Sequence, residues 1–443
     1  MTVENRVPAP SLRWSGACAD LTDADRRALF DRTTAIDTAV GERTASIVTR
    51  VRRDGDDALR ALARELDGSD LDALEVPRAR WQAALDTLPA ALRTALERSA
   101  ENVRRVHRAF RPVAQETESE PGILVGRRPD PLGRVGVYAP GGRAAYPSSV
   151  LMGIVPARVA GVGEIILCSP PSRDTGAPSD VVLAAAALAG ADRVFALGGA
   201  GAIAAMAYGT ASVPRVDRIV GPGNAYVAEA KLQVSSVVAI DSPAGPSELL
   251  VLCDDSADPS LVAREMLAQA EHDPLAAVVA LAPSARAAQN IIDALAAQLP
   301  TQPRAEICRA ALVGQGAVLW AESLPERIAF ANDYAAEHLL LVVDALDDAL
   351  AQLRNAGTVF VGPSASVAFG DYMTGANHVL PTGGLARSYS GLSTLDFVRW
   401  TTYQRVRPDA AAQLADAVGV FADAEQLPGH ALAARAWRAG AAR

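Results

Sequence analysis

The apolar and polar positions divide the chain into a helical amino-terminal part and a longer part in which short strands alternate with helices. Between residues 20 and 110, apolar residues recur at helical spacing, as at Leu29, Ile47 and Val51. Thr22 is placed as the N-cap of the first helix. From Arg134 onward, β-rich runs alternate with alanine-rich helical runs. This alternation is typical of βαβ units and predicts parallel sheets.

The predicted strands fall into two sets, and each set could form the sheet of one α/β domain. The first set is Arg134–Tyr138, Glu164–Cys168, Arg193–Leu197, Arg218–Val220 and Val237–Asp241. The second set is Glu248–Cys253, Ala277–Leu281, Ala317–Trp320, Leu339–Val343 and Thr358–Val361. After Pro381 the chain becomes glycine-rich, and it is predicted to end in a short helical tail that is broken at Pro408 and Pro428.

Composition narrows the classes of protein to which the chain can belong. Its 443 residues carry a net charge of −9 and 50% of them are apolar, which suits a globular protein and argues against nucleic acid as a main partner. Lys231 is the single lysine among 42 basic residues. Pyridoxal chemistry and P-loop nucleotide hydrolysis each need a lysine at a defined place, so both are disfavoured.

Neither export nor membrane insertion is predicted. Residues 1–16 lack the apolar core of a signal peptide, and the longest apolar run, at 181–191, is shorter than the ~20 residues of a membrane span. The cysteines are widely spaced, and Cys168 and Cys253 end predicted strands. We therefore expect buried thiols in a cytoplasmic protein, with no disulfide framework and no cysteine zinc cluster.

Polar clusters that contain histidine are the first candidates for chemistry. Asp258 and Pro259 should open a helix that reaches His272. Gln269 and His272 would then share one face, where an amide oxygen and an imidazole could hold a metal. On spacing alone, a polar helix end is the simpler interpretation. A histidine elsewhere, His107, is expected on the surface of an arginine-rich helix.

Glu337 and His338 stand directly before an apolar run and could form an acid–base pair. Adjacent residues of a regular strand point to opposite sides, so this role needs an irregular backbone. In the next polar loop, Asp371 could bind a metal and His378 a substrate, although a solvated loop is the simpler alternative. Such mixed nitrogen and oxygen donors are compatible with zinc, but no spacing motif requires it.

Two residues of the tail, Glu425 and His430, form a further polar pair. Terminal segments are usually dispensable. A function for this pair would therefore require the tail to dock, for instance onto another subunit.

Three glycine-containing turns follow predicted strands of the first set. Gly198–Ala204 reads G-x-G-x-x-A from its second glycine, and Gly221–Asn224 and Ala139–Gly142 follow two other strands. Such turns fit a nucleotide crevice at the carboxyl ends of a parallel sheet. They fit ordinary tight turns equally well.

Considered together, these segments resemble one family, the histidinol dehydrogenases. The matching stretches follow one another along nearly the whole chain: Gly136–Gly142, Ile219–Asn224, Asp241–Glu248, Gln269–His272, Asn332–Tyr334, Glu337–His338, Gly370–Tyr372, Asn377–Gly384, Glu425 and His430. The resemblance implies the zinc-dependent, NAD-linked oxidation of L-histidinol to L-histidine through L-histidinaldehyde. This is the last step of histidine biosynthesis, and the resemblance implies a homodimer.

The resemblance also implies roles for individual residues. Glu337 and His338 would be the catalytic pair, in which the histidine takes the alcohol proton and the glutamate activates water. The implied zinc ligands are Gln269, His272, Asp371 and His430. The implied substrate-binding residues are these four together with Ser247, His338, His378 and Glu425. Tyr138 and Asn224 would contact NAD, and Glu425 and His430 would be given to the partner's site.

Two positions depart from the family pattern. Glutamine is usual where this chain has Gly201, so no side-chain contact to NAD is predicted there. Ala336 replaces the proline that usually precedes the Glu-His pair, which removes a restraint on the backbone. Because of Gly201, a family paralogue that oxidises another small alcohol, such as a polyol or a sulfonated diol, is the alternative. A non-catalytic zinc-stabilised dimer is a further alternative, which the intact Glu337–His338 pair disfavours.

Pattern and resemblance together predict two incomplete Rossmann-like α/β domains, one inserted in the other, with small helical accessory segments at both ends. The main domain, with the catalytic and zinc residues, is predicted at 30–137 and 248–391. The inserted NAD-binding domain is predicted at 138–247. Residues 1–29 and 392–416 are predicted to form a dimerisation segment, and residues 417–443 a tail that reaches the partner subunit.

Overall fold

The computed structural model describes residues 11–32, 38–141 and 145–438. The chain divides into two compact units, one formed by residues 1–110 and 133–397 and the other by residues 111–132 and 398–443. Parts of several predictions lie outside the described residues. They are residues 1–10 of the amino-terminal segment, residues 33–37 of the main domain, residues 142–144 of the inserted domain, among them Gly142 of the glycine turn after β4, and residues 439–443 of the tail.

The elements of the described residues have the following bounds. The strands are β1 (Trp14–Ala17), β2 (Gln115–Glu120), β3 (Ile123–Pro131), β4 (Arg134–Tyr138), β5 (Glu164–Ser169), β6 (Arg193–Ala196), β7 (Arg218–Val220), β8 (Ala239–Ile240), β9 (Glu248–Cys253), β10 (Ala277–Ala282), β11 (Gly316–Trp320), β12 (His338–Val342), β13 (Thr358–Val361) and β14 (Val398–Val406). The helices are α1 (Asp23–Phe30), α2 (Thr38–Leu62), α3 (Arg78–Asp86), α4 (Ala90–Ala109), α5 (Pro147–Ala160), α6 (Asp180–Ala189), α7 (Gly199–Tyr208), α8 (Ala225–Val234), α9 (Pro259–Ala270), α10 (Ala285–Gln298), α11 (Ala305–Gln315), α12 (Leu324–Tyr334), α13 (Leu346–Leu350), α14 (Val367–Tyr372), α15 (Pro408–Ala424) and α16 (Pro428–Arg435).

The first parallel sheet of the larger unit is five-stranded in the described residues, with the order β6-β5-β4-β7-β8. The chain starts at the central strand β4, runs outward to β6, and then returns to the other side through β7 and β8. The strand order therefore reverses between β4 and β7. In open α/β sheets, ligands bind outside the carboxyl ends of the strands at such a reversal.

The second parallel sheet of the same unit has the order β1-β11-β10-β9-β12-β13. Its central strand β9 is buried at every position, because both of its faces are covered. Leu249 and Val251 enter one apolar cluster, whereas Leu250 and Leu252 enter another on the opposite face. The start of this strand lies beside His338, the first residue of β12, which pairs with Leu249.

The smaller unit contains an antiparallel sheet of order β14-β3-β2, together with α15 and α16. The prediction of a purely helical tail is therefore wrong for residues 398–406. Pro408 and Pro428 begin helices rather than break them, because proline lacks only an N–H group that the first helical turn would leave unbonded.

The α/β class with parallel sheets is confirmed, and strands of both predicted sets form within a residue or two of their predicted bounds. Three further expectations about local structure have a clear outcome. Thr22 and Asp258 cap α1 and α9, and Cys168 and Cys253 are buried free thiols, as predicted. His107 is buried in α4 rather than exposed, so that prediction is wrong. None of the described helices is long and apolar enough to cross a membrane.

Candidate active site

A cavity of about 1660 Å³ in the larger unit joins the ends of its two parallel sheets. The turns after β4, β6 and β7, at the carboxyl edge of the five-stranded sheet, line one part of it. The residues around the starts of β9 and β12, at the amino edge of the six-stranded sheet, line another part. The cavity therefore brings the predicted nucleotide turns and the predicted catalytic pair together.

Tyr138 and the first glycine of α7 connect two of the turns. The Tyr138 hydroxyl accepts a hydrogen bond of 3.0 Å from the backbone N–H of Gly199. Burial raises the pKa of Tyr138 to about 12, so the side chain stays neutral at physiological pH. Gly199 has a φ of 58°, a conformation that favours glycine. The tyrosine thereby holds the start of α7 against the end of β4.

The third turn, Gly221–Asn224, leads into α8, and we name it the cofactor turn because the sequence predicts a nucleotide there. Asn224 caps this helix, because its Oδ1 accepts hydrogen bonds of 3.1 and 3.2 Å from the backbone N–H groups of Tyr226 and Val227. Its side-chain amide nitrogen is the group left to donate to a ligand in the cavity. The start of α8 also presents the partial positive charge that favours phosphate groups.

Glu337 and His338 share the cavity because the backbone before them is irregular. Ala335 ends α12 in the left-handed region, with φ 52° and ψ 58°, and β12 begins only at His338. Glu337 therefore precedes the strand instead of alternating within it. Its Oε2 lies 3.4 Å from Nδ1 of His338, and both side chains are buried. The irregular backbone that a shared site for these adjacent residues needs is therefore present.

The hydrogen bonds of His338 define its tautomer. Nδ1 lies 2.9 Å from the carbonyl oxygen of Glu248, and a carbonyl only accepts, so Nδ1 carries the hydrogen. Nε2 is buried and has no hydrogen-bond partner among the described residues. Burial alone would lower the pKa of His338, but the Glu337 and Asp371 carboxylates outweigh it and raise the pKa to about 9.

A buried ion pair holds the backbone around Glu337 and His338. Arg32 forms two hydrogen bonds to Glu248, of 2.9 and 3.2 Å, and donates a third, of 2.6 Å, to the carbonyl of Tyr334. Glu248 also accepts from the backbone N–H of Glu337 at 3.3 Å. In return, the backbone N–H of Glu248 donates to Oε2 of Glu337 at 2.7 Å. Burial raises the pKa of Glu248, and the nearby Arg32 opposes that shift.

Asp371, in α14, links the two histidines of the site. Its Oδ1 lies 3.7 Å from Nε2 of His338. Its backbone carbonyl lies 2.9 Å from Nδ1 of His378, so that nitrogen also carries a hydrogen. Burial lowers the pKa of His378. Ser247, at the start of β9, lines the same cavity.

The two remaining predicted ligands of this unit lie at the end of α9. Gln269 is buried, and its Nε2 has no hydrogen-bond partner among the described residues. His272 lies beyond the helix, which ends at Ala270 rather than at His272 as predicted, and it is exposed on the cavity wall. The shared face that a continuous helix would give them is therefore replaced by a turn.

The structure does not assemble the complete predicted zinc set from one unit. Glu425 and His430 belong to the smaller unit, at the end of α15 and within α16. Among the described residues, no three His, Cys, Asp or Glu side chains are grouped so as to hold a metal. Of the implied ligands in the larger unit, only His272 and Asp371 are of those types.

Sequence reasoning missed the residues that support the site. Arg32 carried no signal, because its partner Glu248 is 216 positions away. Lys231 was notable as the single lysine, and it is buried in an ion pair with Asp241. Its being the single lysine is the sequence signal that marks this residue, and in the sequence analysis it serves only to exclude other chemistries.

Comparison with known proteins points to the same family as the sequence motifs. The histidinol dehydrogenase family model matches residues 30–438. Histidinol dehydrogenase of Natronomonas pharaonis is 48% identical over 416 residues, which cover 94% of this chain and 97% of that relative. Its counterpart in Methanosarcina mazei is 43% identical over 419 residues, with 94% and 96% covered. The crystal structure of histidinol dehydrogenase from Elizabethkingia anophelis matches with a TM-score of 0.92 at 31% identity, covering 97% of this chain and 98% of that one. The chain therefore belongs to the histidinol dehydrogenase family of oxidoreductases.

Proposed function

We propose that this chain oxidises L-histidinol to L-histidine through L-histidinaldehyde, with NAD as the oxidant and a zinc ion in the substrate site. The observation that carries the proposal is the shared cavity. It is lined by the cofactor turn and the start of α7 on one side, and by Glu337, His338 and Asp371 on the other. A dinucleotide and a small alcohol can therefore be bound within one enclosure, as hydride transfer between them requires.

The implied ligands include the donor types that zinc takes. Gln269 is buried and its amide nitrogen has no hydrogen-bond partner among the described residues, so this amide is free to turn about its last bond and present its oxygen, the atom of the group that binds metals. We propose that Gln269, His272 and Asp371 hold the metal together with the partner subunit's His430. Their mixture of nitrogen and oxygen donors suits zinc. When bound, zinc would hold and polarise the substrate and NAD would accept hydride.

The residues of this chain supply the proton transfers. The raised pKa of His338 means that the imidazole is neutral only at alkaline pH or once a bound substrate and metal lower that pKa. In the neutral form the hydrogen stays on Nδ1, which is bonded to a carbonyl, and Nε2 is the atom that can take the proton of the substrate hydroxyl. Glu337 is held through one oxygen by the backbone N–H of Glu248. Its carboxylate can take a proton from the water that adds to the aldehyde. Ser247 and His378, which line the cavity, are proposed to contact the substrate.

The proposal includes an assembly. We propose that NAD binds to the domain at 138–247, through Tyr138 and Asn224, and that the domain at 30–137 and 248–391 carries the chemistry. The chain is proposed to act as a homodimer, in which the partner subunit's Glu425 and His430 complete each site. Segments 1–29 and 392–416 are proposed to take part in the dimer contact.

The test is the formation of NADH from NAD and L-histidinol, measured before chelation, after chelation and with zinc restored. We expect zinc-dependent formation of about two NADH per histidinol, because each of the two oxidations delivers one hydride. A folded, zinc-loaded protein that forms no NADH from histidinol would contradict the proposal. Polyols and sulfonated diols would then be assayed, because the paralogue alternative predicts turnover with one of them.

The base is tested with His338→Asn. We expect turnover to fall about 10²–10⁴-fold, because general base catalysis contributes that much, with little change in thermal unfolding. His107→Asn is the matched control, since His107 is a buried histidine that does not line the cavity. Normal turnover in His338→Asn would show that another group takes the proton.

A further inference from the structure

The single lysine of the chain lies directly under the cofactor turn. Lys231, on α8, and Asp241, after β8, form an ion pair whose side chains are only 3% and 5% exposed. Nζ of Lys231 also donates to the carbonyl oxygen of Gly221 at 3.1 Å. Oδ2 of Asp241 accepts from the N–H of the same glycine at 2.7 Å. Both backbone polar groups of Gly221 are therefore bound by one buried pair of charges.

Gly221 is the residue of the turn that has least freedom to move. Its φ is 118°, and a Cβ added there would lie 2.1 Å from the carbonyl oxygen of Tyr138. The turn thus passes against the end of β4, and its first residue sets where Asn224 begins α8. A buried charge pair is costly to form, and fixing a defined geometry is the best-attested reason to keep one.

We propose that Lys231, together with Asp241, is a positioning residue for NAD binding: the pair holds the cofactor turn so that Asn224 and the start of α8 meet the dinucleotide. The inference rests on the proposed function, in which NAD lies on this turn. Lys231 itself does not touch the cofactor, because its amine is buried and engaged with Gly221 and Asp241.

Lysine rather than arginine is suited to this place. A compact ammonium group reaches a carbonyl and a carboxylate from one atom, whereas the planar guanidinium of arginine is larger and binds through a rigid fork. All other basic residues among the 42 are arginine. Lys231→Arg keeps the charge and changes the shape, which makes it the informative variant.

The first experiment measures the dissociation constants of NAD and of L-histidinol separately, by calorimetry, for wild type, Lys231→Arg and Lys231→Met. We expect the NAD dissociation constant to rise about tenfold or more in both variants, because a displaced turn no longer meets NAD in the right geometry. Histidinol binding should be unchanged. Arg193→Met is the matched control, because it removes an ion pair with Glu75 from the same sheet but far along the chain from the turn. NAD binding by this control should match wild type.

The second experiment does not depend on any variant folding. Because Lys231 is the single lysine, reductive methylation labels this side chain and the terminal amine alone, and peptide mass mapping separates the two. The Lys231 amine is buried, so it is methylated only when the cofactor turn opens. We expect saturating NAD to slow the methylation of Lys231, since a bound cofactor fixes the turn, and L-histidinol alone to leave the rate unchanged. Equal rates with and without NAD would overturn the inference.

The outcomes separate the two proposals. If wild type binds no NAD, both the proposed function and this inference fail. If wild type binds NAD and Lys231→Arg binds it equally well, the inference fails alone. A lower melting temperature without a change in the NAD dissociation constant would show a purely structural role, and would also overturn it.

Discussion

The two parallel sheets of the larger unit serve the cavity from opposite ends of their strands. The five-stranded sheet contributes turns at its carboxyl edge, where open α/β sheets ordinarily bind ligands. The six-stranded sheet contributes its amino edge, with Ser247 before β9 and His338 at the first position of β12. One sheet thus follows the general rule, and the other reverses it in order to face the first.

Both edges contain residues with positive φ, but the residue types at these positions differ. At the carboxyl edge, the residues with positive φ are glycines, such as Gly199 at 58° and Gly221 at 118°. At the amino edge, glycines such as Gly383, at 65°, are joined by Ala335 at 52°, which has a Cβ and therefore carries strain. The carboxyl edge is therefore built from backbone that adopts its turns freely, whereas the amino edge includes a residue that its surroundings hold in a costly conformation.

A buried ion pair lies under each edge, and the two pairs differ in how far apart their residues are in the sequence. Lys231 and Asp241 are close in sequence and bind a single glycine between them in space. Arg32 and Glu248 are 216 residues apart and bind the backbone just before the Glu337–His338 pair, at Tyr334, and within it, at Glu337. The carboxyl edge is therefore positioned by residues close in sequence, and the amino edge depends on contacts between distant parts of the chain.

Of the substitutions considered, Arg32→Met should have the largest effect on stability and turnover, because it breaks the ion pair under the amino edge. It leaves Glu248 buried without its cation and close to Glu337, and removing one partner of a buried pair costs about 3–5 kcal/mol. We expect the free energy of unfolding in urea to fall by that amount and turnover to be lost. NAD binding, which we propose to occur at the other edge, should change far less in whatever fraction stays folded.

The double variant Arg32→Met, Glu248→Gln serves as the control. It removes the uncompensated charge, so we expect it to be more stable than Arg32→Met alone. Turnover should stay low, because the neutral amide no longer holds the backbone of Glu337 as the carboxylate does. Additive losses in the two single variants would mean that the two side chains do not act as a pair.

The carboxyl edge was largely predictable from the sequence. Its strands are apolar runs with glycine turns after them, and turns of this kind depend on a few adjacent residues, such as Gly221–Asn224. Asp258 likewise signalled the start of α9 through a contact two residues away. Contacts between residues that are neighbours in the chain can be predicted from the sequence alone.

The amino edge was predictable only in its ligand-facing residues. The Glu337–His338 pair stood out by type, but its support did not, because Arg32 reaches it through the fold alone. The strand β2 was missed because all its residues are exposed and show no apolar alternation. His107 was misjudged because the arginines around it conceal its own buried position in α4.

Substitutions at Ala335 should test whether the backbone of the amino edge is strained. A β-branched residue is strained at positive φ, so Ala335→Val should lower the free energy of unfolding by about 2 kcal/mol and reduce turnover. NAD binding should remain near the wild-type value. Ala335→Gly is the control, and should be at least as stable as wild type because glycine adopts this conformation without strain. If glycine were as harmful as valine, strain would not be the cause.

The smallest expected effect concerns pH and a histidine outside both edges. Burial lowers the pKa of His107 to about 4, against about 6.5 in an unfolded chain. Between those values the unfolded state binds the proton and the folded state does not, so this residue makes stability fall as pH decreases.

His107→Phe should remove this contribution while keeping the hydrogen bond of 2.8 Å that Thr394 donates to the backbone carbonyl of residue 107. We expect the wild type to lose about 1 kcal/mol more than the variant between pH 6 and pH 5, in urea unfolding at each pH. The variant's remaining pH dependence then belongs to other groups, among them the charged residues of the two edges. Parallel pH profiles for the two proteins would mean that His107 is protonated in the folded state, and its burial would then not govern its charge.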